Sequence, residues 1–379
     1  MAKKAYIGVD GVARKIKKGY VGVDGVARKI KKAYIGIGGV ARPFWSGGEL
    51  AYYGQTPTAT SAWFNRAAGA TVGNYALIGS DGNKVMNAYS SSLVRSIPSA
   101  IRESKSYEAG ASVGDYALIA GGVYGDGYYT TSNYADAYNT SLTRSNAPNL
   151  TTKTERAAGI STKNYALICG GSYYDNDGED FGTNSRVSAY NASLTVSRAY
   201  GLSTTDLKGT TVGDYAVMGG GADEDGATNL VSALDASLTQ TMPEKLSARM
   251  EYHAAATTGN YALFAGGYRG GTVVDAYDAS LTRHSATPMS VERQHHVGVT
   301  IDGFAIFAGG GPSGYGGTAH KTVDVYDSSL TRTIPPAMKY THNQATGVAV
   351  GNYALIVGGF SNENSSPGIT KVVEVYTVV

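Results

Sequence analysis

Seven times the chain writes a short apolar run closed by small residues: NYALIGSD (74–81), DYALIAGG (115–122), NYALICGG (164–171), DYAVMGGG (214–221), NYALFAGG (260–267), GFAIFAGG (303–310) and NYALIVGG (352–359). Runs this short, ended by glycine and apolar at nearly every position, predict strands buried on both faces rather than helices. A second pattern follows each run after a variable gap: NAYSSSL, DAYNTSL, SAYNASL, SALDASL, DAYDASL, DVYDSSL and finally EVYTVV. A third precedes it, small and glycine-bearing, as in RAAGATV, YEAGASV and HHVGVTI, and reaches the run through a tight turn such as Val-Gly-Asn or Val-Gly-Asp. Such turns join hairpin strands. With one more strand after each Ser-Leu, every copy supplies four antiparallel strands. Seven four-stranded copies predict an all-β fold, a seven-bladed β-propeller.

The last copy stops after its third strand, at Tyr376. An unmatched segment, ELAYYGQTPTA (49–59), precedes the first copy. The N-terminal segment is therefore expected to supply the missing fourth strand, pairing near residues 372–376 and removing the exposed edge of the ring.

Composition agrees with this pattern. The chain has 379 residues with 51 Gly, and its 29 Tyr far outnumber 7 Phe and 2 Trp, which suits many short strands and glycine turns. A single cysteine, Cys169, excludes an intramolecular disulfide and a cysteine-cluster metal site. It occupies a small-residue column of the repeat, so a buried inert thiol is expected. No apolar run reaches the roughly eighteen residues of a membrane helix, and the N-terminus lacks the apolar stretch of a signal peptide.

The apolar strand ending in Gly-Gly and the downstream tyrosines Tyr138, Tyr190, Tyr277 and Tyr326 resemble the Kelch family of propellers over residues 50–379. The fourth-strand Trp of many Kelch repeats is absent, and the first copy has Ser80-Asp81 in place of its glycine pair.

Residues 1–45 are different. They repeat AYIGVDGVARKIKK, GYVGVDGVARKIKK and AYIGIGGVARPFW, with eleven Lys or Arg against two Asp, a net of +9. The remainder carries the other 21 basic and 28 acidic residues, a net of −7, so the overall +2 conceals a basic arm on an acidic body. Asp10-Gly11 and Asp24-Gly25 are strong hairpin turns. Folding about the first pairs Val9 with Val12, Ile7 with Arg14 and Ala5 with Ile16. Ile7, Val9, Val12, Ile16, Val21, Val23 and Ile35 then form a largely apolar interface that one hairpin cannot bury. The phrase KKAYIGVDGVARK resembles segments in structural proteins of phages and prophages of Gram-positive bacteria, and glycine-turn repeats of this length resemble those of fibrous viral shafts. The expected domains are an oligomerising or virion-docking arm (1–45) and a propeller (46–379).

Function is expected where loops vary on a rigid scaffold. The links between second and third strands vary most: VYGDGYYTTSNY (123–134), SYYDNDGEDFGTNSR (172–186), ADEDGATN (222–229) and PSGYGGTAHKT (312–322). The candidate binding residues on this face are Tyr124, Tyr128, Tyr129, Tyr173, Tyr174, Asp175, Asp177, Tyr268 and Tyr315; tyrosine gives large contact area at low entropic cost. The acidic stretch DNDGED lacks the spacing of a calcium-binding EF-hand loop, so no metal is assigned. Eight residues before the start of each apolar run lies a polar column, Arg66, Tyr107, Arg156, Asp206, Tyr252, His295 and Gln344. Three residues on, the column is Gly or Ala, as a crowded inner strand requires. The polar column is therefore expected to ring the channel mouth. No convincing nucleophile–base pair, paired catalytic carboxylates or phosphate loop is present, so neither enzyme activity nor a cofactor is expected.

The resemblances imply a phage or prophage structural and adhesion protein. Its arm would dock on virion proteins or form a homo-oligomer, its loop face would bind a host-surface glycan or protein, and it would reside in the virion. Alternatives are a cytoplasmic Kelch-type scaffold and a galactose-oxidase-like or other glycan-active enzyme. Membrane insertion is not expected, and nucleic acid is the lesser reading of the basic arm.

Overall fold

A computed structural model describes the chain except residues 1–5, 10–11, 16–18, 24–25, 31, 38–39, 47–49, 57–59, 61–65, 80, 125–129, 176–179, 313–317, 363–367 and 379; for 6–46 and for 175 and 180 it describes the backbone alone. The described residues contain no helix. Seven four-stranded antiparallel sheets follow one another as the blades of a propeller. Blade 2 shows the pattern: inner strand Ala109–Val113, then Tyr116–Ala120, Ala135–Asn139 and outer strand Arg144–Ala147, each paired with the next. Blades 1 and 3 to 7 open with Ala68, Ala158, Lys208, Ala254, Val297 and Thr346. The second strands are buried on both faces, as in Ala117, Leu118 and Ile119 at 0 % exposure, because each is sandwiched within its sheet and between two blades.

The ring closes through the N-terminal strand. Leu50–Gln55 is the outer strand of blade 7, and its register runs from Leu50 opposite Val378 to Gln55 opposite Glu374. Tyr52 packs its ring 5.3 Å from that of Tyr376 and donates its hydroxyl to Glu374. The pairing covers the edge that blade 7 would otherwise present.

Repeated polar devices tie five of the blades to the link before them. The buried third-strand tyrosines donate their hydroxyls to that link: Tyr138 to the Ser99 carbonyl, Tyr190 to Pro148, Tyr277 to Glu244, Tyr326 to Thr287 and Tyr376 to Pro336, at 2.6–2.8 Å. The polar residue two positions earlier is also buried and anchors the same link. Asp275 accepts from the Ser247 amide at 2.8 Å, and Asp324 accepts from the Ser290 amide at 3.1 Å. These acids are thus occupied by the scaffold.

The Ser-Leu pattern proves to be the turn between third and fourth strands. Leu93, Leu142, Leu194, Leu238, Leu281 and Leu330 all adopt left-handed φ near 60°. That conformation normally selects glycine or asparagine. Leucine is kept because its side chain packs into the core between blades. Leu93 joins Ala76 and Ile78 of blade 1 to Val350, Leu355 and Val357 of blade 7, with Tyr353 against the same cluster.

Within residues 6–46 the described strands form three separate two-stranded hairpins, and none of them pairs with a propeller strand. In the first, Val9 stands opposite Val12 and Ile7 opposite Arg14, the register expected from the Asp-Gly turn; Ala5 and Ile16 lie outside the described residues. Val21 faces Arg28 and Val23 faces Val26 in the second, and Ile35 faces Arg42 in the third.

Candidate binding site at the channel mouth and loop face

The residue before each inner strand's small segment is held in an unusual backbone. Arg66, Tyr107, Arg156, Asp206, Tyr252, His295 and Gln344 all take φ between 52° and 59°. The conformation turns their peptide groups around the channel. The Arg156 amide donates to the Tyr107 carbonyl, Asp206 to Arg156, His295 to Tyr252, Gln344 to His295 and Arg66 to Gln344, at 2.8–3.2 Å. This backbone belt offsets the strain of about 1–2 kcal/mol that each left-handed residue carries. Just inside it the inner strands nearly touch. A Cβ on Gly110 would lie 2.2 Å from the Gly69 carbonyl oxygen, and one on Gly159 would lie 2.0 Å from that of Gly110.

All seven belt residues line one cavity of about 300 Å³. Their side chains interact around the ring. Arg66 donates to the Tyr107 hydroxyl at 3.2 Å, and the Arg66 and Arg156 guanidinium carbons lie 5.3 and 4.4 Å from the Tyr107 ring centroid. Arg156 reaches Asp206 at 3.3 Å and Glu155 at 3.8 Å. Burial works against the Arg156 charge, but these two carboxylates outweigh it and raise its pKa. Tyr252 and His295 stack with centroids 4.2 Å apart. Burial holds His295 neutral, its pKa lowered to about 3, and the positive charges of Arg66, Lys208 and Arg156 add to that effect.

Lys208 and Glu108 also line the cavity and were not singled out from the sequence. A comparison two positions after the belt column would have found Lys208, since every other copy has Ala, Val or Thr there. Glu108 has a fully buried side chain, with Oε1 3.1 Å from the Lys105 ammonium; burial pushes its pKa up to about 8, with Lys105 opposing.

The links between second and third strands carry small bridges and hairpins on the same face. Ser172–Asp175 pairs with Asp180–Thr183, Ala222–Asp223 with Gly226–Ala227, and Phe360–Ser361 with Gly368–Ile369. Of the expected binding residues, Tyr124 is half-buried with its hydroxyl 3.3 Å from that of Ser132. Tyr173 is half-buried, and so is Tyr174, whose ring lies 5.2 Å from that of Phe181. Tyr268 is 42 % exposed. Asp175 is described by its backbone alone, and Tyr128, Tyr129, Asp177 and Tyr315 lie outside the described residues. On these links the described aromatic groups that project most are Phe181 at 59 % and Phe360 at 40 % exposure, alongside Tyr268. The sequence signal for the two phenylalanines is their rarity combined with their place in these links. Cys169 is fully buried and free, and burial raises its thiol pKa.

These features define the molecule as a seven-bladed β-propeller with a polar channel mouth. No family model matches the sequence, and no curated protein matches it. Among solved structures it is similar to one titled "Structure of YjhT", at 11 % identity over 85 % of this chain and 99 % of that chain, with a TM-score of 0.55. At that identity the likeness shows the fold alone.

Proposed function

We propose that the protein is a structural and adhesion protein of a phage or prophage, with a Kelch-type propeller whose loop face binds a host-surface glycan or protein. The observation that carries the binding role is the group of exposed aromatics, Phe181, Tyr268 and Phe360, on the links between second and third strands of three different blades. Exposed aromatic surface on a rigid scaffold favours recognition, because it is desolvated with little loss of conformational freedom. The arm supports the structural role. Three hairpins in series, each only two strands wide, are marginal alone and gain stability from copies or a partner surface. Residues 1–45 accordingly oligomerise or dock on virion proteins.

Two measurements test this reading. The Phe181→Ala, Tyr268→Ala, Phe360→Ala triple variant is expected to fold and to lose adsorption to cells of a Gram-positive panel that retain the unaltered protein. Undiminished adsorption by the folded variant would refute the assignment. Light scattering at low and high salt is expected to find the full chain oligomeric and a chain beginning at Gly47 monomeric. A basic arm that instead gripped nucleic acid would release it steeply with salt.

A further inference from the structure

Lys208 occupies a position that the scaffold fills elsewhere with small side chains. Its counterparts are Ala68, Ala109, Ala158, Ala254, Val297 and Thr346, all buried. The lysine is half-buried and lines the channel cavity. Among the described residues its ammonium makes no hydrogen bond or salt bridge. Burial lowers its pKa, Asp206 opposes that, and Arg66 and Arg156 add to the lowering. A cation drawn partly out of water, with one carboxylate near it but no hydrogen-bonding partner, gains from any further group that supplies opposite charge.

The other cations of the mouth differ in how they are satisfied. Arg156 is held by Asp206 and Glu155. The Arg66 side chain donates to the Tyr107 hydroxyl and has no carboxylate partner among the described residues. Glu108 is turned to Lys105. Two cations of one cavity, Arg66 and Lys208, therefore keep unused donors, and the guanidinium can grip an oxyanion through two parallel bonds. The cavity of about 300 Å³ has roughly the volume of ten waters, enough for an inorganic oxyanion or one acidic sugar.

We infer that the channel mouth binds a small oxyanion, a carboxylate or phosphate group, between Arg66 and Lys208. Tyr107, bonded to Arg66, and Gln344 line the same cavity as polar groups, and the Asp206 carboxylate near Lys208 is drawn to Arg156. This site is independent of the aromatic loop face and of the proposed adhesion role.

The test uses the full chain at pH 7.5 and constant ionic strength. Melting temperature is followed against increasing inorganic phosphate, glucuronate and, as a neutral control, glucose. A saturable rise with phosphate, glucuronate or both, and none with glucose, is expected, and the more protective anion distinguishes an inorganic from a carboxylate ligand. Arg66→Gln and Lys208→Met are expected to weaken the apparent affinity at least tenfold. Lys208→Met keeps the apolar stem and removes only the charge, so without anion it should melt no lower than the unaltered protein. No saturable rise with either anion overturns the site. So does a rise retained in Lys208→Met, or a Lys208→Met protein that melts lower without anion, which would make the charge structural.

Discussion

Arg293 and Asp324 are both fully buried, joined at 2.6 Å, and Arg293 also donates to the Phe307 and Thr322 carbonyls. Replacing Arg293 removes the nearest cation from Asp324 and leaves it Arg332 at 3.7 Å and the Ser290 amide and hydroxyl. Arg293→Met is expected to cost about 3–5 kcal/mol, read as a lowered denaturation midpoint; a loss below about 1 kcal/mol would show that Asp324 is satisfied without it. Leu93 poses the opposite balance. Glycine at φ 60° would relieve about 1–2 kcal/mol of strain, but removing a buried leucine costs about 2–5 kcal/mol. Leu93→Gly should therefore destabilise, by up to about 4 kcal/mol on these figures. If it stabilises, backbone strain dominates the turn. In the sequence the Ser-Leu pair only announces a following strand; its left-handed turn follows from core packing that no local pattern reveals.

Among the strands, the closing one is the most sensitive. Leu50–Gln55 pairs along residues 374–378, and its removal exposes the edge of the third strand of blade 7. A chain beginning at residue 61 is expected to aggregate or lose cooperative melting, whereas one beginning at Gly47 should melt as the full-length propeller does. Equal melting of both would show that the closure contributes little. This element was legible because the last copy lacks a strand and an unmatched segment precedes the first. The belt column was also visible as a polar column, but not its shared left-handed backbone. Arg66, Asp206 and Gln344 have nothing in common locally that demands that conformation; the hydrogen bonds that favour it come from neighbouring blades.

The whole ring should be sensitive to acid. His253 and His296 are buried at 1 % and 6 % exposure. Burial lowers His253 to about 3, with Lys208 adding to the shift, and holds His296 well below the usual histidine range, with Arg293, His253 and His295 adding to it. An unfolded chain binds protons at these sites from about pH 6.5 downward while the folded chain does not. Stability is therefore expected to fall as pH drops from about 6.5 toward 3, by up to about 1.4 kcal/mol per pH unit for each of these histidines and for His295, outweighing the raised Glu108 carboxyl, which adds stability as pH falls below about 8. Calorimetry at pH 7.5 and 5 should show a lower melting temperature at pH 5, and the His253→Gln, His296→Gln variant a smaller difference. An unchanged difference would place the acid sensitivity elsewhere.

Local pattern was enough to read the periodicity, and with it the strand order, the number of blades and the hairpin register about Asp10-Gly11. Those depend on contacts close along the chain, where apolar alternation and turn residues act directly. Which polar residues are structural and which face the cavity emerges only from the closed ring. Asp275 and Asp324 look as available in the sequence as Asp206, yet links from neighbouring blades consume the first two, while Asp206 stands at the channel mouth. Lys208 stands out in the sequence only as a lysine in a column of Ala, Val and Thr. Its environment is set by burial and by Asp206, Arg66 and Arg156, the two arginines brought to the same cavity by closure of the ring, and long-range geometry of that kind is not written in the residues beside it.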